Sequence, residues 1–442
     1  MKITIICEVL GEANNGTSVA AYNLIEHLKA KGHEVKVVCP DEERRGQEGW
    51  YVLPRLNLGH IANRIIARNN VILTRFSREV VGEAIKDADV VHAMTPLFMM
   101  RKCSKFIKRE GKPLTAGFHA QAENFTSHIG LMGSRLINHI LYRWYDGNLF
   151  RRVDCIHYPT QFIRDVFEKQ VGRRTNGVVI SNGVNDCFVP RPTEKPEEYR
   201  DKFCVLFIGR FSKEKSHKTL LKAVKKSKYA DRIQLFFAGN GETEKKVRRW
   251  GDKRLPNPPV IGFYSRDELV KLINSCDLYC HPAEVEIEAI ACLEAISCGL
   301  VPVIADSPKC ATKGFALDKR CLFKVNDSAD LARRIDYFIE HPEERAALRE
   351  RYLNECASFD QQSCMEQMEQ MLLYTAAKAK AAEKAKALAA AEAKAGASRE
   401  RARIDAGAKA LGEILDGAEP VLPEPSDDAV FIAEANEQAE NT

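Results

Sequence analysis

Twice along this chain the same rhythm of residues occurs: a short apolar run, a Gly-bearing polar turn, a helical spacing of apolar groups, then a second apolar run. In the first instance Ile3 to Val9 is mainly apolar and Gly11 to Gly16 is the polar turn. Val19, Tyr22, Leu24, Ile25 and Leu28 then recur at near-helical spacing, Gly32 stops the helix, and Glu34-Val35-Lys36-Val37-Val38-Cys39 supplies the next strand. A strand, helix and strand joined this way predict parallel strands, because the helix must carry the chain back across one face of the sheet. Parallel sheets are covered on both faces, so their strands read as continuous apolar runs. Asp89-Val90-Val91-His92, Pro113-Leu114-Thr115-Ala116-Gly117 and Gly177-Val178-Val179-Ile180 fit that description.

The rhythm restarts after the polar, Pro-bearing stretch from Pro190 to Arg200. Phe203 to Gly209, Gln234 to Gly239, Val260 to Gly262, Leu278 to Cys280 and Val301 to Ala305 are the expected strands of a second unit. The fold class is therefore α/β, with two Rossmann-like parallel-sheet domains, residues 1–195 and 196–345, facing a cleft. From about residue 375 the composition changes. Thr375 to Ala397 is mainly Ala, Lys and Glu, a helix-forming mixture without an apolar stripe, and Asp416 to Thr442 is acidic with prolines and reads as disordered. Residues 375–442 are either an unpacked helix with a solvated tail or a tether for a partner.

With 45% hydrophobic and 29% charged residues, a wholly disordered or collagen-like chain is excluded. No run of 18 apolar residues occurs, so no spanning helix is expected, and Lys2 to Glu8 reads as a first strand, not a signal peptide. The 14 cysteines are scattered without a C-x-x-C pair, which predicts buried thiols in a reducing cytoplasm and no metal site. Charge is uneven: residues 51–152 hold 16 Lys and Arg against 7 Asp and Glu. Such a patch suits an anionic surface, whether nucleic acid, phosphorylated ligand or membrane.

Four segments can carry chemistry. Asn14-Asn15-Gly16-Thr17-Ser18 lies between the first strand and helix, where free helix N–H groups favour an anion, although an ordinary capped turn has the same residues. Gly209-Arg210-Phe211-Ser212-Lys213-Glu214-Lys215 follows a buried strand, and Arg210 with Lys215 suits a diphosphate; the alternative is a solvated loop. Gly239-Asn240-Gly241 lacks the third glycine of a dinucleotide fingerprint and reads as a tight turn admitting a ligand to the backbone. Glu286-Ile287-Glu288-Ala289-Ile290-Ala291-Cys292-Leu293-Glu294, ending at Gly299, is the most specific. With Glu286 at the mouth of a helix, Ala289 to Ala291 offer free N–H groups to a phosphate and Glu294 lies deeper, able to accept from hydroxyls.

In family order, these segments and the Gly32-His33-Glu34-Val35 junction resemble the retaining nucleotide-sugar glycosyltransferases of family 4, which have the GT-B fold. The resemblance covers about residues 1–374 and implies a C-terminal helix, 346–374, returning to the first domain. It also implies a nucleotide-sugar donor and no required cofactor. By that resemblance Glu286 contacts the donor sugar and Glu294 the ribose. Arg210 and Lys215 bind the diphosphate, helped by Gly16, Gly239, Gly241, Ala289 and Ile290, and Gly262 to Ser265 line the base. His119, in Gly117-Phe118-His119-Ala120, is expected beside the reacting sugar; a core or capping histidine is the other reading. Two departures stand out: Ile287-Glu288-Ala289 replaces the usual Gly-Phe-Gly, and the first-domain loop offers only Gly16.

Within that family Gly117 to Asn124 and Glu286 to Leu300 look most like bacterial diacylglycerol glucosyltransferases, which implies UDP-glucose as donor and the 3-hydroxyl of diacylglycerol as acceptor. The basic excess fits this. Arg64, Arg68, Arg75 and Arg135 are interleaved with apolar groups including Ile61, Phe98, Met99, Met100, Leu136, Ile140, Tyr142 and Trp144. Such a mixture suits peripheral binding to an anionic leaflet on the cytoplasmic side, unless the apolar faces are core. No nucleic-acid-binding module accompanies the patch, so no nucleic-acid partner is expected. Polysaccharide, glycan and phosphatidylinositol acceptors, and a nucleotide-sugar epimerase, remain alternatives.

Overall fold

The computed structural model describes residues 1–11, 16–56, 59, 74–127, 130–356 and 359–416. Its first sheet holds β1 (Lys2–Ile6), β2 (Glu34–Cys39), β3 (Trp50–Val52), β4 (Val90–Ala93), β5 (Leu114–Gly117), β6 (Cys155–Tyr158) and β7 (Gly177–Val179), in the order β3-β2-β1-β4-β5-β6-β7. The second holds β8 (Phe203–Ile208), β9 (Ile233–Ala238), β10 (Val260–Gly262), β11 (Leu278–His281), β12 (Pro302–Asp306) and β13 (Leu322–Lys324), in the order β10-β9-β8-β11-β12-β13. The strands pair in parallel throughout, for example Ile6 opposite Ala93 and Leu206 opposite Tyr279. The expected pair of parallel-sheet domains is what the chain forms. Strand order reverses between β1 and β4 and again between β8 and β11, which opens a crevice beyond the carboxyl end of each sheet.

β3, β6 and β13 went unread in the sequence. Two of them are three residues long, and β6 carries His157, so neither length nor alternation marks them. Parallel pairing makes them strands: β3 with β2, β6 with β5 and β7, and β13 with β12.

The chain passes between the domains twice. Ile180 packs in the first-domain core and Val184 in the second. On return, Phe359 packs against the second core and Cys364 lies within the first. The two crossings are zipped together: Val184 N–H donates to Phe359 O at 2.7 Å and Gln361 N–H to Val184 O at 3.0 Å.

The helix Gln361–Asp416 then buries Cys364, Met365, Met368, Met371 and Leu372 in the first-domain core. Glu369 lies 2.9 Å from both His27 and His33, fixing the helix against the first crossover helix. From Ala379 onward the chain forms a separate unit, and residues 380–409 are exposed along the helix. Residues 417–442, expected to be the disordered part of the tail, lie outside the described residues. No helix among the described residues is long and apolar enough to cross a membrane.

Candidate active site

A cavity of about 350 Å³ opens at the carboxyl ends of both sheets. Gly16, Thr17, His119 and Asn124 line it from the first domain; Arg210, Lys215, Glu286, Ala289 and Ile290 do so from the second. The tertiary fold thus gathers three of the four segments singled out in the sequence.

Glu286 follows β11 and is almost wholly buried, paired through Oε1 with the Lys215 ammonium; His281 Nε2 lies 3.3 Å away. Burial alone would raise its pKa, but the Lys215 charge and the neighbouring His281 win and hold the carboxyl down at about 2. Glu286 is therefore an anion at any working pH. Three residues on, the backbone turns sharply. Ala289 sits in the left-handed region, φ 63° and ψ 70°, and caps the helix Ile290–Ser297. A side chain there costs about 1 kcal/mol relative to glycine, so the Ala in place of Gly keeps the turn at the expense of some strain. The turn aims the helix start, with Ile290 and Ala291, into the cavity, where unpaired N–H groups attract anions.

Arg210 leaves the end of β8 half-exposed, its guanidinium 3.5 Å from Glu214 Oε1. Glu214, missed in the sequence, is buried; it accepts from Ser212 Oγ and, across the cleft, from Ser127 Oγ at 3.4 Å. An acid between Lys213 and Lys215, just after a strand-Gly-Arg sequence, was the available signal.

Glu294 lies one turn deeper in the same helix and does not line the cavity. Burial pushes its carboxyl up to about 7, only partly offset by Arg266. Glu288, which the sequence reading left without a role, lines the cavity and is likewise raised by burial to about 7, against the hydrogen bonds it receives. Both carboxyls stay protonated in the folded protein where the unfolded chain has released its protons. Their contribution to stability therefore falls as pH rises from about 4.5 to about 7. Glu294→Gln is expected to gain about 1–2 kcal/mol at pH 8 and nothing at pH 4. Urea unfolding at the two pH values checks this, and an equal effect at both would refute it.

A second recess of about 160 Å³ adjoins the cavity between Gly209, Arg210, Gly239, Asn240, Phe263 and Tyr264. A Cβ on Gly239 would fall 2.2 Å from Gly209 O and one on Gly241 2.6 Å from Phe211 O. Gly239 lines the recess while packing against the neighbouring loop, and Gly241 lines neither space. Ser265 lines neither space and caps the helix Arg266–Ser275: its hydroxyl and N–H both engage Glu268 while it accepts from Glu268 N–H. Phe263 and Tyr264 supply the ring surface instead.

On the first-domain side, the His119 ring lies over Gly117, where a Cβ would come 2.5 Å from Nε2. That nitrogen has no partner, and burial beside His157 and His92 holds the imidazole neutral. Gly16 begins the helix Gly16–Ala30, and Asn14 and Asn15 lie outside the described residues.

The basic and apolar surface divides. Arg64 and Arg68, with Ile61, lie outside the described residues. Met99, Met100 and Tyr142 are core, so the basic helix Met100–Arg109 turns its apolar side inward, against expectation. The helix Arg135–Asn148 differs: Leu136 is 68% and Ile140 57% exposed, beside exposed Arg135. Trp144, partly buried, packs edge-on against Phe98, which is 52% exposed. Arg75 is exposed.

Comparison with known proteins agrees with this architecture. The family model "Glycosyltransferase Family 4" matches residues 14–187 and "Glycosyl transferases group 1" matches residues 190–354. A GDP-mannose-dependent alpha-mannosyltransferase of Mycolicibacterium smegmatis is 25% identical over 69% of this chain and 79% of its own length. Alpha-monoglucosyldiacylglycerol synthase of Acholeplasma laidlawii is 21% identical over 78% of this chain and 89% of its own. The solved structure of Anabaena Alr3699/HepE with UDP and glucose superposes with a TM-score of 0.64 at 16% identity, over 85% of this chain and 100% of that one.

Proposed function

We propose, from the premise that this chain belongs to the GT-B glycosyltransferases, that it is a retaining hexosyltransferase moving glucose from UDP-glucose to a membrane lipid. The 3-hydroxyl of 1,2-diacylglycerol is the acceptor we favour. The observation that carries the reading is the convergence on one cavity of Arg210, Lys215, the open helix start at Ile290 and Ala291, and Glu286. As a nucleotide diphosphate leaves, negative charge grows on its oxygens, and Arg210, Lys215 and the helix N–H groups are the groups that stabilise it. Glu286, fixed as an anion, receives hydroxyls of the sugar and favours positive charge at its reacting carbon. The Phe263–Tyr264 recess is suited to the base, while Glu294, which lines neither space, is left without a ligand contact. His119, neutral, offers its imidazole beside the sugar, and same-face attack by the acceptor lets the departing phosphate take the acceptor's proton. No step in this scheme calls for a metal.

A lipid acceptor is supported by the diacylglycerol-acting relative and by the outward Leu136, Ile140 and Phe98 beside Arg135. Apolar groups with an arginine fringe suit peripheral binding to an anionic leaflet, here the cytoplasmic face of the cell membrane. Replacing Leu136 and Ile140 together by Glu is expected to lower binding to anionic vesicles about tenfold or more, with thermal stability unchanged. Co-sedimentation measures it, and unchanged binding would remove this face from the reading.

The deciding experiment supplies labelled UDP-glucose and diacylglycerol in vesicles with and without anionic lipid. Label in the lipid phase, stimulated by anionic lipid, supports donor and acceptor together. Label only on a polysaccharide, glycan or phosphatidylinositol keeps the transferase and overturns the diacylglycerol assignment. Epimerised or hydrolysed sugar without any acceptor points to a nucleotide-sugar epimerase. The mannosyltransferase relatives favour GDP-mannose as the second donor to try.

A further inference from the structure

From Glu286 to Ala291 the successive residues are held by several different parts of the molecule. Glu286 pairs with Lys215 on the donor side. Ile287 packs against the first-domain core, and its carbonyl accepts from Thr160 Oγ1 at 2.8 Å. Ala289 is held in the left-handed turn, and Ile290 and Ala291 open into the cavity. Glu288 borders the cavity but pairs with no cation among the described residues. Its buried carboxyl accepts from Ser181 Oγ and Asn182 Nδ2 at 2.5 Å each, and from Asn182 N–H at 3.1 Å.

Those partners occupy the crossing itself. Ile180 belongs to the first core and Val184 to the second, so Ser181, Asn182 and Gly183 are the residues that turn when one domain moves against the other. Ser181 Oγ also accepts from Gly183 N–H at 3.0 Å. Gly183, at φ 75°, lies so close to the return crossing that a Cβ would come 2.5 Å from Gln361 Cα. A single carboxyl therefore holds two of the three hinge residues, and the third has no room to adjust alone.

We propose that Glu288 is a positioning residue that ties the donor loop to the hinge, so that occupancy of the donor site and the angle between the domains change together. This rests on the cavity taking a nucleotide sugar. A ligand drawing on Glu286 or on the N–H groups of Ile290 and Ala291 shifts a loop without slack, and the Glu288 carboxyl carries Ser181 and Asn182 with it. Where the family pattern has an aromatic side chain, this chain has an acid, which suits polar hinge groups that a ring leaves unpaired.

The test follows amide hydrogen exchange over residues 178–186 and 357–363 of the full chain, with and without UDP or GDP, together with transfer kinetics. In the wild type, nucleotide is expected to slow exchange at both crossings. In Glu288→Ala, the hinge protection by nucleotide is expected to disappear and kcat to fall about tenfold or more; Glu288→Gln, whose amide oxygen still accepts from Asn182, recovers part of both. Ser181→Ala removes one donor with little disturbance, should show the same losses at smaller amplitude, and decides the matter if Glu288→Ala does not fold. A Glu288→Ala or Ser181→Ala protein with wild-type hinge protection and kcat overturns the coupling alone. A wild type that binds neither nucleotide and transfers no sugar overturns the donor reading, and the coupling with it.

Discussion

Lys215→Ala is expected to lower kcat/KM for sugar transfer by about a thousandfold and to destabilise the protein by about 3 kcal/mol. The two losses share one cause. Lys215 is the cation paired with buried Glu286, and its removal leaves a carboxylate whose burial is opposed only by His281. The sign of the pH dependence follows. In the wild type the depressed carboxyl contributes stability that is present above about pH 4.5 and lost as pH falls toward about 2. Without Lys215 burial takes over, the carboxyl pKa rises, and protonation relieves the cost. The stability gap between variant and wild type should therefore be widest near pH 8 and narrow toward pH 3. Urea unfolding across that range measures it, and a gap independent of pH would mean that the pair does not hold Glu286 ionised. Lys215→Arg separates the losses: it returns a positive charge to Glu286, whereas the compact ammonium at the diphosphate is not replaced.

Gly239→Ala is the second large effect, although the residue makes no side-chain contact. The added methyl would meet Gly209 O at 2.2 Å, and that atom is backbone, so no rotamer relieves the clash. Gly209 N–H donates to Ala238 O at 2.9 Å and Phe211 N–H to Asn240 O at 2.7 Å, which locks the loops after β8 and β9 together. Separating them moves Arg210 from the cavity rim and widens the recess beside Tyr264. A loss of about 3 kcal/mol and of at least about a hundredfold in kcat/KM is expected, since small displacements of positioned charges are costly to catalysis. The free volume at Gly16, where a Cβ meets nothing within 4 Å, supplies the control: Gly16→Ala should change stability far less. Comparable unfolding midpoints for Gly239→Ala and wild type would show that the loops are not packed as described.

What the sequence determined by itself was whatever is written locally. Apolar runs, helical spacing and the stop at Gly32 announced two parallel-sheet domains; strand-end positions brought Gly16, Arg210 and Lys215 forward, and the family resemblance joined them with Glu286 and His119 into one site. These signals are short-range, because a strand needs only its own apolar run and a helix start only its own free N–H groups. The errors came where a residue's partner is distant. The close contacts of Gly239 and Gly241 with Gly209 and Phe211 belong to another loop and leave no local mark. Met100 and Tyr142 read as membrane-facing because nothing nearby in the chain distinguishes an inward apolar face from an outward one. Glu288 had no partner legible in the sequence, since Ser181 and Asn182 stand 107 and 106 positions away. Periodicity carries no record of such pairings. Only the folding of two sheets around a doubled crossing brought that carboxyl to the hinge, and burial of an acid with no other partner is what makes the contact matter.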